Sequence, residues 1–337
     1  MKPIVPAFAV ALSLAAAACV GNDDRSTTQP TAPGSDLAGR VSSFDGDILR
    51  LEFSREDGSR ETFNSVRDDW FSWSWRPFLP NHSGRRWTLL KTSAEKSSIA
   101  YALVSWNNDD PTDYLAAGYW LEFPNEDGRF RRFDLANASA YPPFVDGPEL
   151  DLSNPPSMPL SGTARYAGPV GGLYSYRYGS GWSVVDEPSV TEEFTGTMTI
   201  HADFADNSLT GCIGCIGDIE ITRENLYTVL GFRRAEPLAL PNDYEVHFAG
   251  TPISADGTFK STEVEVIHPE RTVVESDGSW SGRFSNIPDT DGNPRLAAGM
   301  IDVAFAEPDA SLGKFMALFT APVESLVQPI ASPPGGE

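Results

Sequence analysis

Two cysteines three positions apart, Cys212-Ile213-Gly214-Cys215, are the residues of this chain best equipped for chemistry. Thiols at that spacing can close a disulfide, cycle as a redox pair or supply half of a zinc site. In a regular strand, residues i and i+3 point to opposite faces, with Cα atoms about 10 Å apart. A disulfide needs about 4.4–6.8 Å. A Cys212–Cys215 bond therefore requires the strand to break at Ile213-Gly214, and Gly211, Gly214 and Gly217 supply the backbone freedom. A redox pair of this spacing opens the helix of a thioredoxin-like unit, which the surrounding sequence does not offer. A zinc site wants two more thiols or histidines, and the third cysteine, Cys19, is far off in sequence. The pair is read as a structural disulfide, with redox and metal use as the alternatives; no metal and no cofactor are expected.

The histidines, His82, His201, His247 and His268, form no HExxH and no i, i+4 pair. His201 and His247 fall on the polar faces of expected strands. No Gly-x-Ser-x-Gly, phosphate loop or dinucleotide fingerprint occurs, and no acid, base and nucleophile can be assembled. No catalytic residue is assigned, and the chain is read as a non-enzyme. Asp289-Thr290-Asp291-Gly292-Asn293 has the oxygen-rich look of a calcium loop but lacks the terminal glutamate, so it is read as a hairpin turn.

Binding candidates come from another pattern. Phe71-Ser72-Trp73-Ser74-Trp75-Arg76-Pro77-Phe78 sets Phe71, Trp73 and Trp75 on one strand face, and Arg129, Arg131 and Arg132 follow an Asp127-Gly128 turn. Trp and Arg are enriched at binding hot spots. Trp73, Trp75, Arg76, Arg129, Arg131 and Arg132 are therefore candidate ligand contacts, with a core role as the alternative for the aromatic face. These arginines, with Arg85 and Arg86, could meet an acidic ligand or the carboxylates of their own domain.

The N-terminus bears on where such a site would work. Lys2 is the only charge before an apolar stretch, Ile4 to Ala18, too short to span a bilayer and suited to a secretory signal over residues 1–18. Ala16-Ala17-Ala18-Cys19 looks like a bacterial lipobox, with Ala where Leu is usual at position 16. Cys19 is the expected lipidation site, a plain signal peptide being the alternative. Residues 19–37, rich in Ser, Thr, Pro and Gly, cannot bury a core and read as a tether. The formal net charge is −22, and residues 159–337 carry 10 Lys and Arg against 25 Asp and Glu. Such a surface repels nucleic acid and anionic lipid, and draws in basic partners or cations.

With 29 Gly and 27 Pro, the chain has too many breakers for long helices. A β-rich region is expected over 38–152, a Pro-rich boundary at 153–159, a second region over 160–321 and a tail at 322–337. In the second region apolar residues alternate: Phe194, Met198, Ile200 and Phe204, then Trp280 and Phe284, then Ile301, Val303 and Phe305. Period two between Asp-Gly turns indicates an antiparallel meander of about eight strands, enough to close a small barrel. A turn is expected between Gly168 and Gly172, and Glu224–Arg234 is the one stretch read as a short helix.

The order of several motifs resembles a known family. They are Ser161-Gly162-Thr163-Ala164-Arg165-Tyr166-x-Gly168, Thr197-Met198-Thr199-Ile200-His201-Ala202-Asp203-Phe204, Leu209-Thr210-Gly211, and Phe248-Ala249-Gly250-Thr251-Pro252-Ile253. Gly257-Thr258-Phe259, Gly282-Arg283-Phe284 and Ala298-Gly299 follow. Together they resemble the barrel of transferrin-binding protein B and its relatives, and Asp110–Leu121 resembles the stretch before the barrel in the solute-binding-like branch. The resemblance implies an all-β fold, an N-terminal handle-like β-rich domain followed by a C-terminal antiparallel eight-stranded β-barrel. It also implies a non-enzymatic outer-membrane surface lipoprotein that binds a protein or small-solute ligand, with iron- or haem-linked uptake as its setting. Its partners there would be a TonB-dependent receptor and a surface lipoprotein assembly modifier. Transferrin-binding protein B has two lobes and this chain has room for one, so transferrin itself is not implied. The alternatives are a structural or adhesive lipoprotein without a dedicated ligand, and a periplasmic rather than surface location.

Overall fold

The run Ile99-Ala100-Tyr101-Ala102-Leu103-Val104 lacks the polar partners that a half-exposed strand needs, so it must be covered on both sides. The computed structural model shows how. It describes residues 39–324 other than 56, 67–68, 76–81, 94, 125–138, 151–152, 180–188, 218 and 223–241. Three antiparallel strands, β1 (Arg40–Phe44), β2 (Leu49–Ser54) and β3 (Arg60–Asn64), make a small sheet. Five more, β4 (Asp69–Trp75), β5 (His82–Thr92), β6 (Lys96–Asn107), β7 (Tyr114–Pro124) and β8 (Ser139–Asp146), pair in sequence order. A 3₁₀ turn at Pro148–Leu150 follows. The remaining strands form one nearly closed sheet: β9 (Thr163–Arg177), β10 (Ser189–Asp203), β11 (Ser208–Ile213), β12 (Glu220–Thr222), β13 (Glu245–Pro252), β14 (Thr258–Ser261), β15 (Val264–Ile267), β16 (Glu275–Phe284), β17 (Leu296–Ala306) and β18 (Leu312–Pro322).

Its path runs β14-β16-β17-β18-β9-β10-β11-β13-β15, with β12 paired to the start of β10. The ends of that path, β14 and β15, are consecutive in the chain. Ser261 Oγ accepts the Glu263 amide in a local turn between them, 3.0 Å away. β14 pairs with β16 and touches the β13 side through an Ile253–Phe259 bridge, while β15 pairs with β13 and sends its Val266 amide to Ser276 Oγ. The two pieces act as one broken stave between β13 and β16. Counted that way the barrel has the eight staves that its alternation implies, and its interior is filled with side chains. Tyr174 stacks on Phe315 with ring centroids 4.5 Å apart, and Trp280 on Phe248 at 4.7 Å. Phe194, Met198, Ile200, Phe204, Phe284, Ile301, Val303 and Phe305 all join this core.

The expected turn between Gly168 and Gly172 is absent: β9 runs through it without interruption. Glycines read as turn formers here serve close strand approach instead. A Cβ on Gly168 would lie 2.0 Å from the Thr320 carbonyl oxygen, and one on Gly172 1.9 Å from that of Met316. β9 is thereby drawn tightly against β18. The segment read as a helix, Glu224–Arg234, lies outside the described residues.

Stacking of three layers covers β6. Ala100, Ala102 and Val104 face the small sheet with Trp87, Trp120 and Phe53. Ile99, Tyr101 and Leu103 face Leu173, Met300, Met316 and Leu318 on the outside of the barrel wall. Strands β17 and β18 are thus buried on both faces over part of their length, which removes their alternation there. A charged clasp sits in the same layer: Arg86 on β5 donates to Glu193 on β10 at 2.7 Å, and Thr88 Oγ1 donates to the other carboxylate oxygen at 2.8 Å. Burial pushes the Glu193 carboxyl up, and Arg86 and Thr88 only partly offset that. Both side chains of the pair are all but fully buried.

Candidate functional site on the barrel wall

β11 carries Leu209 and Ile213 inward, so Cys212 must point out, and the same alternation on β13 puts Val246 and Phe248 inside with Glu245 and His247 outside. In register, Cys212 stands directly opposite His247. β11 then ends at Ile213, and Gly214 (φ +83°) and Gly217 (φ +74°) turn the chain back. Those left-handed positions break the strand where the spacing of the two cysteines requires it. A Cβ on Gly214 would lie 2.8 Å from the Tyr244 carbonyl oxygen, so both conformation and space favour glycine. The turn brings the Cα atoms of Cys212 and Cys215 to 5.9 Å, and the disulfide is formed.

The pair has company that the sequence reading left out. His247 Nε2 lies 3.9 Å from Cys212 Sγ and 3.7 Å from Cys215 Sγ. Glu245 Oε2 lies 3.7 Å from Cys215 Sγ and 2.8 Å from His247 Nε2. All four donor atoms fall within 4.8 Å of one another. Cys212 is buried, Glu245 and His247 are half-buried, and Cys215 is exposed at the rim. The available signal was the i, i+2 pair Glu245-x-His247 on the polar face of a strand. What sequence did not provide was the β11–β13 register, set across some thirty residues.

A second polar cluster lies towards one barrel end. Glu307 accepts hydrogen bonds from Tyr176 (2.8 Å), Tyr244 (2.5 Å) and Arg271 Nε (2.7 Å), and Arg271 Nη2 also reaches it. Burial pushes this carboxyl up, yet the hydrogen bonds from Arg271, Tyr244 and Tyr176 more than compensate and hold it below its ordinary value. Burial also pushes the Tyr176 hydroxyl up to about 12. The Asp289–Asn293 segment is a turn closed on one side chain: Asp289 Oδ1 accepts the amides of Asp291 and Asn293 at 2.9 and 2.8 Å.

The other predicted site residues are placed less fully. Trp73 stands opposite Arg86 and Trp75 opposite Gly84 in the β4–β5 register, but their side chains, and Arg76, Arg129, Arg131, Arg132 and Cys19 altogether, lie outside the described residues. Two neighbours of that segment are placed in full. Trp87 is fully buried in the core beside the small sheet, and Arg86 is spent on Glu193 of the barrel. Arg86 is thus paired with a carboxylate that lies outside its own domain. Arg85 instead lies over the Trp87 ring, 4.9 Å from its centroid.

No family model matches this chain, and no curated protein matches it. Among solved structures it is similar to a double mutant of transferrin-binding protein B from Haemophilus parasuis Hp5, with 11% identity and a TM-score of 0.31 over 83% of this chain and 52% of that one. It is similar also to intact Ap-TbpB with its N and C lobes, with 10% identity and a TM-score of 0.33 over 83% of this chain and 53% of that one. The chain spans about half the length of these structures.

Proposed function

We propose that the chain is a non-enzymatic surface lipoprotein of an outer membrane, anchored through Cys19, whose β body binds a protein or small-solute ligand. The observation that carries this reading is the junction at Cys19. An apolar stretch ends there in three alanines, and a Ser/Thr/Pro/Gly tether leads from it to the first strand at Arg40. Acyl chains on that cysteine would hold the protein at a bilayer, while the tether lets the body reach outward. The packed interior of the barrel supports recognition by loops and outer faces. Trp73, Trp75, Arg76, Arg129, Arg131 and Arg132 are the proposed contacts, because aromatic and arginine anchors carry binding energy out of proportion to their number. The acidic barrel then sets on-rate and salt dependence. The motif order shared with transferrin-binding protein B supports iron- or haem-linked uptake, with a TonB-dependent receptor and a surface lipoprotein assembly modifier as partners.

The test has two arms. Cys19→Ala should move the protein from the membrane fraction to the soluble fraction; continued membrane association would remove the anchor from the proposal. A panel of iron-carrier proteins, haem and siderophores should include one that raises the melting temperature in proportion to the logarithm of its concentration. If none does, a structural or adhesive role replaces ligand binding. With a ligand in hand, Trp73→Ala should speed its dissociation and leave the melting temperature nearly unchanged, whereas an unfolded variant would assign Trp73 to the core.

A further inference from the structure

We propose that Cys212, Cys215, Glu245 and His247 form a tetrahedral zinc site, open to the metal while the cysteines are a dithiol and closed once they are a disulfide. Two thiolates, an imidazole and a carboxylate are the donor set of a borderline-soft divalent cation and a poor one for calcium or magnesium, which take oxygen ligands. With Zn–S near 2.3 Å and Zn–N or Zn–O near 2.0–2.2 Å, a regular tetrahedron has S···N and S···O edges of about 3.6 Å. The observed edges are 3.9 and 3.7 Å to His247 and 3.7 Å to Glu245. The remaining S···O edge, Cys212 to Glu245, lies within 4.8 Å, and at least two edges must change. The sulfurs separate when their bond is absent, and the Glu245–His247 contact, 2.8 Å here, opens by about 0.5 Å to admit the ion.

The frame holds the donors in place. Cys212 and His247 face each other on one rung of the β11–β13 ladder, and Glu245 lies one alternation along the same strand. Only Cys215 sits on a turn, where Gly214 and Gly217 let it swing. On the far side of His247, Glu265 of β15 stands opposite in register and adds negative potential outside the four donors. Four protein ligands fill the coordination sphere, so the site is structural rather than catalytic. Zinc there would join β11 to β13 as the disulfide now pins the β11 turn to itself.

The two fates of the pair compete for the same sulfurs. Cysteines leave synthesis as thiols. Zinc binding releases the two thiol protons and transfers no electrons. Disulfide formation releases two protons and passes two electrons to an oxidant, a protein or small-molecule disulfide that is itself reduced to two thiols. Reduction by a dithiol reverses that step and reopens the site.

The experiment uses the full chain in two forms, as isolated and after treatment with a phosphine reductant removed under anaerobic conditions. Co2+ is titrated into each, followed by Zn2+. The dithiol form should bind one equivalent of Co2+ with thiolate-to-metal charge-transfer absorption and tetrahedral visible bands, and Zn2+ should displace it. The disulfide form should show no charge-transfer band. In the dithiol form, His247→Ala and Glu245→Gln should each weaken Zn2+ binding by more than about a hundredfold, above the effect of losing an outer-shell partner. Both side chains face outward, and circular dichroism of each variant checks the fold. On the unmutated dithiol form, Zn2+ should also slow maleimide labelling of Cys215, a reading independent of any variant. Absence of the charge-transfer band, wild-type affinity in His247→Ala, or labelling unaffected by Zn2+ would each overturn the site.

Discussion

Glu307 gathers two tyrosine hydroxyls and the Arg271 guanidinium on one buried carboxylate, so its charge state bears on stability directly. Its folded-state value is held below the ordinary 4.5. A depressed carboxyl contributes stability that is present above its unfolded value and lost as pH falls through the folded one. Glu307→Gln should therefore cost about 2 kcal/mol near neutrality, the scale of hydrogen bonds to a charged group. The difference from wild type should shrink as the pH drops below 4.5. Urea unfolding of both proteins across pH checks this, and a difference that stays constant into acid would show that charge is not the operative property. At this scale the cysteines were legible because two thiols and three glycines constrain one another locally. Glu307 and the Glu245-x-His247 pair were not, since acidic and imidazole side chains gain meaning only from what a distant strand places beside them.

Strands were the most legible level, and their failures are informative. Alternation marked the inward faces of β10, β16 and β17 because water on one side and core on the other impose period two. It misled between Gly168 and Gly172, where glycines mimic a turn but permit close approach of β9 to β18. That difference can be measured. Gly172→Ala should cost at least about 2 kcal/mol, because its Cβ would meet backbone that cannot move without parting two strands. Gly292→Ala, with no atom within 4 Å but φ at +86°, should cost about 1 kcal/mol from backbone strain alone. Denaturant midpoints of the two variants give the comparison, and equal losses would refute the close-approach account. The division of one stave into β14 and β15 was not readable either, since it depends on which neighbour each half meets.

The assembly of layers was the least legible level. Nothing near Arg86 announces a partner 107 residues away on the barrel. The apolar outer patch of Leu173, Met300, Met316 and Leu318 looks like ordinary strand composition until the five-stranded sheet covers it. The Arg86–Glu193 pair makes a prediction at this scale. Arg86→Met leaves a carboxylate buried without its main counter-charge and should cost about 3–5 kcal/mol, whereas adding Glu193→Leu should recover much of that loss. Calorimetry of the single and double variants would decide it; a double variant no better than the single would mean that the pair is worth more than the packing that replaces it. The broken stave also has a mechanical meaning. β9 and β10 are long and continuous, while the barrel's circumference is completed by two four-residue pieces, so the hoop has a seam. Amide protons of β14 and β15 should exchange with solvent well ahead of those in β9 and β10, and the wall should part along that line, with the longer strands still joined, before the barrel unravels.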